Sequence, residues 1–576
     1  MRCRTQTGQS CANLRAMLVA VCLACPWGAV AQTAGQVTPG SFEPAPLRSA
    51  GSVAFSGAPG LGAPPGAAEF SILIESVEIE GALPGLEGAA ETLRARLTRG
   101  RIAVSELFEA ASEFEAAHAR AGFVLARVVL PEQVLRDGGR LRLVVIDGFV
   151  ETVDVTAADP RIRGRLEALT LPMLDRTGLR LREIERRLLL AGDTYGVALG
   201  SALSPGDRAG GTVVVLDPEF RVLTGYVGAD NTMSDALGAW SLDAGVELNG
   251  YFGLGEVLYA RASGNPFEGF LADPQLRTLA VGAVFPVGTR GLTFNIEATD
   301  SRTRPDQVAV DTVSVFERVS ARLYYPWIRS RSRNLTSQLS LDRVTDTLDI
   351  DAAAGPLPIY EDRLAVARFS TDAFWTTPAG AVFEVGGTIS TGLDALGARP
   401  ASAAAPELPL SRVGADAEFR KLEVIARHRR ELTDNIGLFL SGRAQTSFGD
   451  PLVLSEQIGI ASIRELSAFP SGAFSGDSGW VVRGEVSHAF DASVADRPLA
   501  LSPYLFASTG AVRLEQPQPG EQAEVTASAY GIGIDLAYTV DPAFSAGRLR
   551  LELGRGLRDD SEPDATRFLF SASFRF

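Results

Sequence analysis

The chain has 576 residues, of which 46% are hydrophobic and 21% charged, and a formal net charge of −15 at pH 7. That acidic balance argues against general nucleic-acid binding. Four cysteines and three histidines leave little for thiolate or imidazole metal sites. No stretch after residue 31 is apolar for long enough to cross a bilayer as a helix, so a spanning mode would have to use strands.

In chain order, the first element is a leader. Arg2, Arg4 and Arg15 are followed by the apolar run Ala16 to Ala24, and Ala29-Val30-Ala31 forms a small-x-small cleavage site before Gln32. The predicted mature chain starts near Gln32. Cys3, Cys11, Cys22 and Cys25 all precede the cut, so it carries no cysteine, and hence no disulfide, thiolate site or cysteine nucleophile. With the three leader arginines gone, 51 basic residues face 69 acidic ones, a net charge of −18. Residues 32–69 are rich in Pro, Gly, Ala and Ser and read as a linker or loosely ordered segment.

Residues 70–148 read as a small β-α-α-β-β unit. Phe70, Ile72 and Ile74 alternate, followed by Val77 and Ile79, as on a strand. Leu93 and Leu97 share one face of a short helix. Ser105 is the expected cap of a longer helix with Leu107, Ala111, Phe114 and Ala117 on one face, which Gly122 ends. Strands are expected over 123–130 and 141–146. Residues 149–219 repeat the order, with a strand at Val150, Val153 and Val155, helices over 162–169 and 181–190, and strands over 197–203 and 212–216.

From residue 220 the helical periodicity stops. Trp240, Leu242, Ala244, Val246 and Leu248 alternate with Ser241, Asp243, Gly245, Glu247 and Asn249. Leu292 to Thr299, Tyr530 to Val540 and Arg548 to Gly554 show the same two-residue period. The chain ends on Phe568, Phe570, Ala572, Phe574 and Phe576 against Leu569, Ser571, Ser573 and Arg575. One face is apolar and the other charged or small, which suits a bilayer outside and water inside, not a packed sandwich. A long Pro/Ala-rich connection at 390–413 and a short one at 539–543 match long outer loops and short periplasmic turns.

Two such units ahead of a barrel resemble the outer-membrane transporters of two-partner secretion, the haemolysin and filamentous-haemagglutinin secretion/activation proteins of the outer-membrane insertase superfamily. The matching stretches are Gly122-Phe123-Val124-Leu125-Ala126 through Leu130-Pro131-Glu132-Gln133, Asp137-Gly138, Leu143 to Gly148, Leu181 to Leu190, Gly192-Asp193 and Gly210-Gly211-Thr212. Tyr195 departs from the family pattern, which has Pro before Gly196. The resemblance implies an all-β transmembrane barrel of sixteen antiparallel strands over 220–576, preceded by polypeptide-transport-associated domains at 70–148 and 149–219. These would bind an unfolded client by strand addition, with Phe123, Leu125, Leu130, Gln133 and Leu188 marking the client-binding units. Residues 32–69 would cross or plug the lumen, although their composition favours a plugging helix less than in relatives.

The family also carries an inward loop whose tip contains an arginine paired to a strand aspartate. The corresponding tip is Ile463-Arg464-Glu465-Leu466, and the strand motif reads Phe506-Ala507-Ser508-Thr509-Gly510, with Ser508 in place of the acid. An unpaired arginine is costly, so Glu485 is the expected substitute, with Asp477 and Glu465 as weaker alternatives. Phe574 and Phe576 resemble the terminal signal that barrels present to their assembly machinery.

Other motifs weigh less. Gly476-Asp477-Ser478-Gly479 resembles a serine-protease nucleophile segment, but His118, His428 and His488 lie in no triad context. Lumenal acids such as Asp243, Glu247, Glu297, Asp535 and Glu552 read as a polar pore lining beside Arg548 and Arg550. No phosphate-binding G-x-x-x-x-G-K-[ST] motif is present. The expected protein is therefore a non-enzymatic outer-membrane exporter of a secreted partner. It would contact outer-membrane lipid and barrel-assembly machinery, take no cofactor or metal, and bind no nucleic acid. The alternatives are an insertase that assembles other barrels and a porin-like diffusion channel.

Overall fold

A computed structural model of the chain describes residues 32–45, 53–55, 62–265, 269–270, 272–306, 310–494 and 496–576. The predicted leader and its cysteines lie outside the described residues. The described chain begins with a single helical turn, α1 (Ala34–Val37), and a short strand, β1 (Val53–Phe55).

The first small unit holds β2 (Ser71–Glu80), α2 (Glu87–Leu97), β3 (Arg101–Ala103), α3 (Val104–Arg120), β4 (Arg127–Val129) and β5 (Gly139–Ile146). Its sheet order is β3-β2-β5-β4, with β2 and β5 parallel. The helical period of Leu93, Leu97, Leu107, Ala111 and Phe114 places these side chains against Ile72, Ile74, Leu141 and Leu143 in one core. Ala103, not Ser105, is the N-cap of α3, so Ser105 lies inside its first turn. The predicted strand over 123–130 shrinks to three residues. Gly122, at φ +96°, turns the chain out of α3, and the Phe123 amide donates to His118 O at 2.9 Å. Phe123 is thereby drawn into a small core with Leu86 and Ala126.

The second unit holds β6 (Phe149–Asp154), α4 (Pro160–Thr170), α5 (Leu181–Gly192), β7 (Val197–Pro205) and β8 (Gly211–Phe220). Asp159 caps α4 by accepting from the Arg161 amide at 2.9 Å, and Pro160 occupies the first turn, where its missing N–H costs nothing. Leu125 of the first unit packs in the second unit's core, and the Leu181 amide donates to Gly122 O at 2.7 Å. The two units are thus joined through packed residues rather than a free linker.

The barrel strands are β9 (Leu223–Asp230), β10 (Ser241–Asn249), β11 (Val257–Gly264), β12 (Leu276–Val287), β13 (Leu292–Thr303), β14 (Thr312–Arg329), β15 (Arg333–Ala352), β16 (Gly355–Thr376), β17 (Val382–Gly392), β18 (Arg420–Glu431) and β19 (Ile436–Thr446). After a long loop containing β20 (Ile458–Gly459) and β21 (Ser475–Gly476) come β22 (Ser478–His488), β23 (Phe490–Val494), β24 (Arg497–Arg513), β25 (Glu524–Asp541), β26 (Ser545–Arg558) and β27 (Ala565–Arg575). β22 and β23 pair with one partner, β24, as a single interrupted strand. On that count the barrel has sixteen strands, all neighbours antiparallel, and β27 closes it onto β9. Trp240, Leu242, Val246, Ile296, Val319, Ile532 and Phe568 are exposed on the outside, whereas Glu297, Arg318, Arg322, Arg483 and Glu552 are buried inside. That inversion of the usual burial pattern is what a barrel in lipid requires.

Candidate functional site

The lumen contains two pieces of chain, and each is held by charged side chains of the wall. The first is the loop 447–477 between β19 and β22. Its base is closed by the β20–β21 ladder and by Asp477, which is fully buried and accepts from the amides of Leu452 (2.9 Å) and Glu515 (2.7 Å) and from Gln457 Nε2 (3.0 Å). Glu456 ties the base to the wall by ion pairs with Arg368 and with Lys421 at 2.9 Å. The loop body packs Ile458, Ile460, Leu466, Phe469 and Phe474 against Val481, Tyr504, Phe506 and Val512 of the wall. Glycines in β26 make room for it: a Cβ at Gly556 would stand 2.4 Å from the Phe469 ring.

At the tip, Leu466 is fully buried, Ile463 and Glu465 are half-buried, and Arg464 is exposed. Glu465 forms a two-pronged ion pair with Arg443 of β19, at 2.7 Å to Nε and 3.0 Å to Nη2. The expected Arg464–Glu485 pair is not formed. Glu485 is engaged by Arg483 at 2.7 Å and by Arg550 at 3.3 Å. Asp477 is consumed at the loop base, and Ser508 donates to Ala529 O at 3.3 Å opposite Arg483 in the ladder. Arg464 has no hydrogen-bond or ion-pair partner among the described residues.

Behind the tip stands a wall network. Arg483, with no side-chain exposure, binds Glu552 at 2.6 Å and Glu485, donates to Ser467 Oγ at 2.9 Å and to Glu465 O at 3.2 Å, and lies 4.0 Å over the Phe506 ring. Tyr504 donates to Glu552 at 2.9 Å, and Arg550 also pairs with Asp535 at 2.7 Å. Glu485, Asp535, Glu552 and Arg550 were legible as lumen-facing from the alternation. Arg443, and the grip of Arg483 on the loop, were not, because cross-strand partners depend on register.

The second occupant is the segment 32–45. Ser234 Oγ donates to Gln32 Oε1 at 3.0 Å and Thr303 Oγ1 to Gln32 O at 3.2 Å, at the mouth remote from the small units. The Ala34 amide donates to Ser314 Oγ at 3.1 Å, and Gly35 lies so near Asp346 that a Cβ would approach its Oδ2 to 2.4 Å. Farther along, Arg318 donates to Pro39 O at 2.9 Å and Arg322 to Gly40 O at 3.4 Å, while the Phe42 amide donates to Glu297 at 3.0 Å. Both arginines pair with Glu297, which also accepts from Tyr259 at 2.9 Å. Phe42 then packs near Tyr195, Val257 and Tyr259, beside the second small unit. The segment therefore runs the length of the lumen, mostly extended, with only the one-turn α1.

The units present sheet edges at the same end. In the first, β4 is an edge strand with no outer partner among the described residues. Gln133 continues its ladder: its side chain accepts from the Arg142 amide at 2.9 Å and donates to Arg142 O at 2.8 Å. In the second, the equivalent edge, β7, is covered by β1, which pairs in parallel from Val53↔Ser201 to Phe55↔Leu203. Phe123, Leu125 and Leu188 are core residues, 6%, 3% and 6% exposed, and Leu130 packs partly buried against the first core. These side chains build the cores of the two units, and the elements they leave available for docking are backbone edges. The second unit is fastened to the barrel by Asp193–Arg329 (2.7 Å) and by Arg187, which donates to Thr289 O at 2.8 Å. The terminal Phe576 closes the seam, exchanging backbone hydrogen bonds with Gly225 at 2.9 and 3.0 Å, and Phe574 is partly exposed beside it.

A closed barrel with an apolar exterior, a charged lumen, an inward loop and small α/β units at one mouth defines the class of outer-membrane β-barrels that carry soluble accessory units. The family model described as "Haemolysin secretion/activation protein ShlB/FhaC/HecB" matches residues 210–536, more than half of the chain, and "POTRA domain, ShlB-type" matches residues 72–148. The chain belongs to the ShlB/FhaC/HecB family. It is 26% identical over 377 residues to the outer membrane transporter CdiB of Escherichia coli O6:K15:H31 (strain 536 / UPEC), covering 64% of this chain and 60% of that one. It is 24% identical over 477 residues to the hemolysin transporter protein ShlB of Serratia marcescens, covering 79% and 77%. The match to the first of these relatives thus spans less than two thirds of its length. The fold matches CdiB from Escherichia coli (TM-score 0.66, 19% identity, 100% of both chains). It also matches BamA from Haemophilus ducreyi lacking POTRA domains 1–3 (TM-score 0.52, 12% identity, 88% of this chain and 100% of that one). The protein resides in the outer membrane with its POTRA domains in the periplasm.

Proposed function

We propose that this protein exports a secreted partner protein, unfolded, from the periplasm through the barrel lumen to the cell surface. The observation that carries this reading is the lumen itself. It is occupied along its length by the segment 32–45, an extended polypeptide held through its backbone by Arg318, Arg322, Ser314 and Glu297 of the wall. A wall that holds one extended chain largely through main-chain groups, at Ala34, Pro39, Gly40 and Phe42, can accommodate another in its place.

On this reading the client is captured by strand addition. The uncovered β4 edge is the first docking site, and the β7 edge becomes free when β1 leaves it. The segment 32–45 must leave the lumen for the client to pass. Many wall charges are paired among themselves, as Arg483 is with Glu552 and Arg368 with Asp342, which lowers the number a moving chain meets unpaired. No catalytic step is invoked, and folding of the client outside supplies the free energy. The barrel reaches the membrane through assembly machinery that reads the terminal strand, with Phe574 and Phe576 as the signal.

A second reading, insertion of other barrels, is favoured by one feature. The β27–β9 seam has five register pairs, against eleven for β26–β27. Comparison of cells lacking the gene with complemented cells separates the two. Loss of one large extracellular protein on deletion, restored by the gene, supports export; unchanged secretion with a general fall in outer-membrane barrels supports insertion.

A further inference from the structure

We infer that the inward loop is locked by an ion pair of reversed polarity, with the acid on the loop and the base on the wall. Glu465 is the loop's positioning residue and Arg443 its receptor, while Arg464 is released from any locking role. This deepens the export reading and rests on it. The geometry is specific. Both Glu465 oxygens meet Arg443, at 2.7 and 3.0 Å, and Ser462 Oγ steadies the same carboxylate at 2.9 Å. Arg443 also donates to Gly459 O, so one guanidinium holds the tip and the ladder at the loop's base. Both side chains are mostly buried, at 22% and 16% exposure, and a planar fork facing a carboxylate is the strongest geometry such a pair can take. Glu423, 4.0 Å from Arg443, is the one other acid facing the guanidinium among the described residues.

The rest of the wall agrees with the reversal. At 506–510, where the resemblance called for an acid to receive a loop arginine, Ser508 makes only a backbone contact. The nearby acids Glu485 and Glu552 are already satisfied by Arg483 and Arg550. Arg464 is exposed and makes no hydrogen bond or ion pair among the described residues.

The test is a double-mutant cycle on the full-length protein with Glu465→Gln, Arg443→Gln and the two together, plus Arg464→Ala and the conservative Glu465→Asp. Chymotrypsin cleavage within 447–477, which carries Phe448, Leu466 and Phe474, and single-channel conductance in planar bilayers read the lock. Secretion of the client is read separately, and heat-modifiable mobility confirms that each barrel is folded. For a paired lock, each single neutralisation speeds loop cleavage by about threefold or more, and the double variant is no worse than either single one. Glu465→Asp stays near wild type, and so does Arg464→Ala. Multiplying effects in the double variant, or a released loop in Arg464→Ala with none in Glu465→Gln, overturns the inference. Failure of the wild type to export any client overturns the export reading and leaves the loop measurements interpretable.

Discussion

Arg483 shows how much one lumenal side chain is asked to hold: two carboxylates, a serine, a loop carbonyl and an aromatic face. Truncating one partner of such a buried network leaves the others charged and unpaired. Arg483→Ala is therefore expected to destabilise the barrel by about 3–5 kcal/mol, measured by urea unfolding in detergent. Gly148 is a second sensitive position for a steric reason, since a Cβ there would stand 2.0 Å from Leu125 O. Gly148→Ala should cost about 1–3 kcal/mol at the joint between the two units, visible as a lower melting temperature of the helical circular-dichroism signal. At this scale the sequence was only partly legible. The alternation told which side chains face water inside the barrel, including Glu485 and Glu552. It did not tell which meet, because Arg443 and Glu465 are 22 residues apart and are brought together by a fold of the loop rather than by strand spacing.

The elements were legible where their period is long and unbroken. The amphipathic faces of α2 and α3 and the alternating strands of the barrel follow directly from the hydrophobic pattern. The miss at 123–130 came from a glycine turn and a buried aromatic that an apolar run conceals. The one-turn α1 has too few residues to show a period at all. α5 carries a capping interaction that is testable by pH. The Arg180 amide donates to Glu183 at 3.1 Å, and this hydrogen bond holds the Glu183 carboxyl below its usual range. A depressed acid stabilises the fold above the ordinary carboxylate value, and that contribution is lost as pH falls through the depressed one. Glu183→Gln should thus lower stability by about 0.5 kcal/mol at neutral pH, a small effect because the group is exposed, and the difference should vanish in acid. Thermal melts of the helical signal at several pH values measure it. The segment 32–45 gives a larger effect: its removal should raise the single-channel conductance in planar bilayers, since it lies along the whole lumen.

For the molecule as a whole, fold and site reduce to one arrangement: sixteen strands make a closed wall, the wall carries paired charges inward, and those charges hold a loop and an N-terminal segment across the passage. The barrel and the two units could be read from the sequence because lipid and core each impose a period on it. The state of the lumen could not, since it depends on contacts between residues hundreds of positions apart, such as Arg318 and Pro39. The most direct test of export is to catch the client in the passage. A photo-crosslinking residue would be placed at Arg464, at Asp372 on the same lumenal face of β16 as Arg368, at Arg127, which is exposed on β4, and at Trp240 on the lipid face, in cells producing the client. Adducts between this protein and the client from the first three positions and none from Trp240 are the predicted result. A client that is secreted normally but gives no adduct from any lumenal position would contradict passage through this barrel.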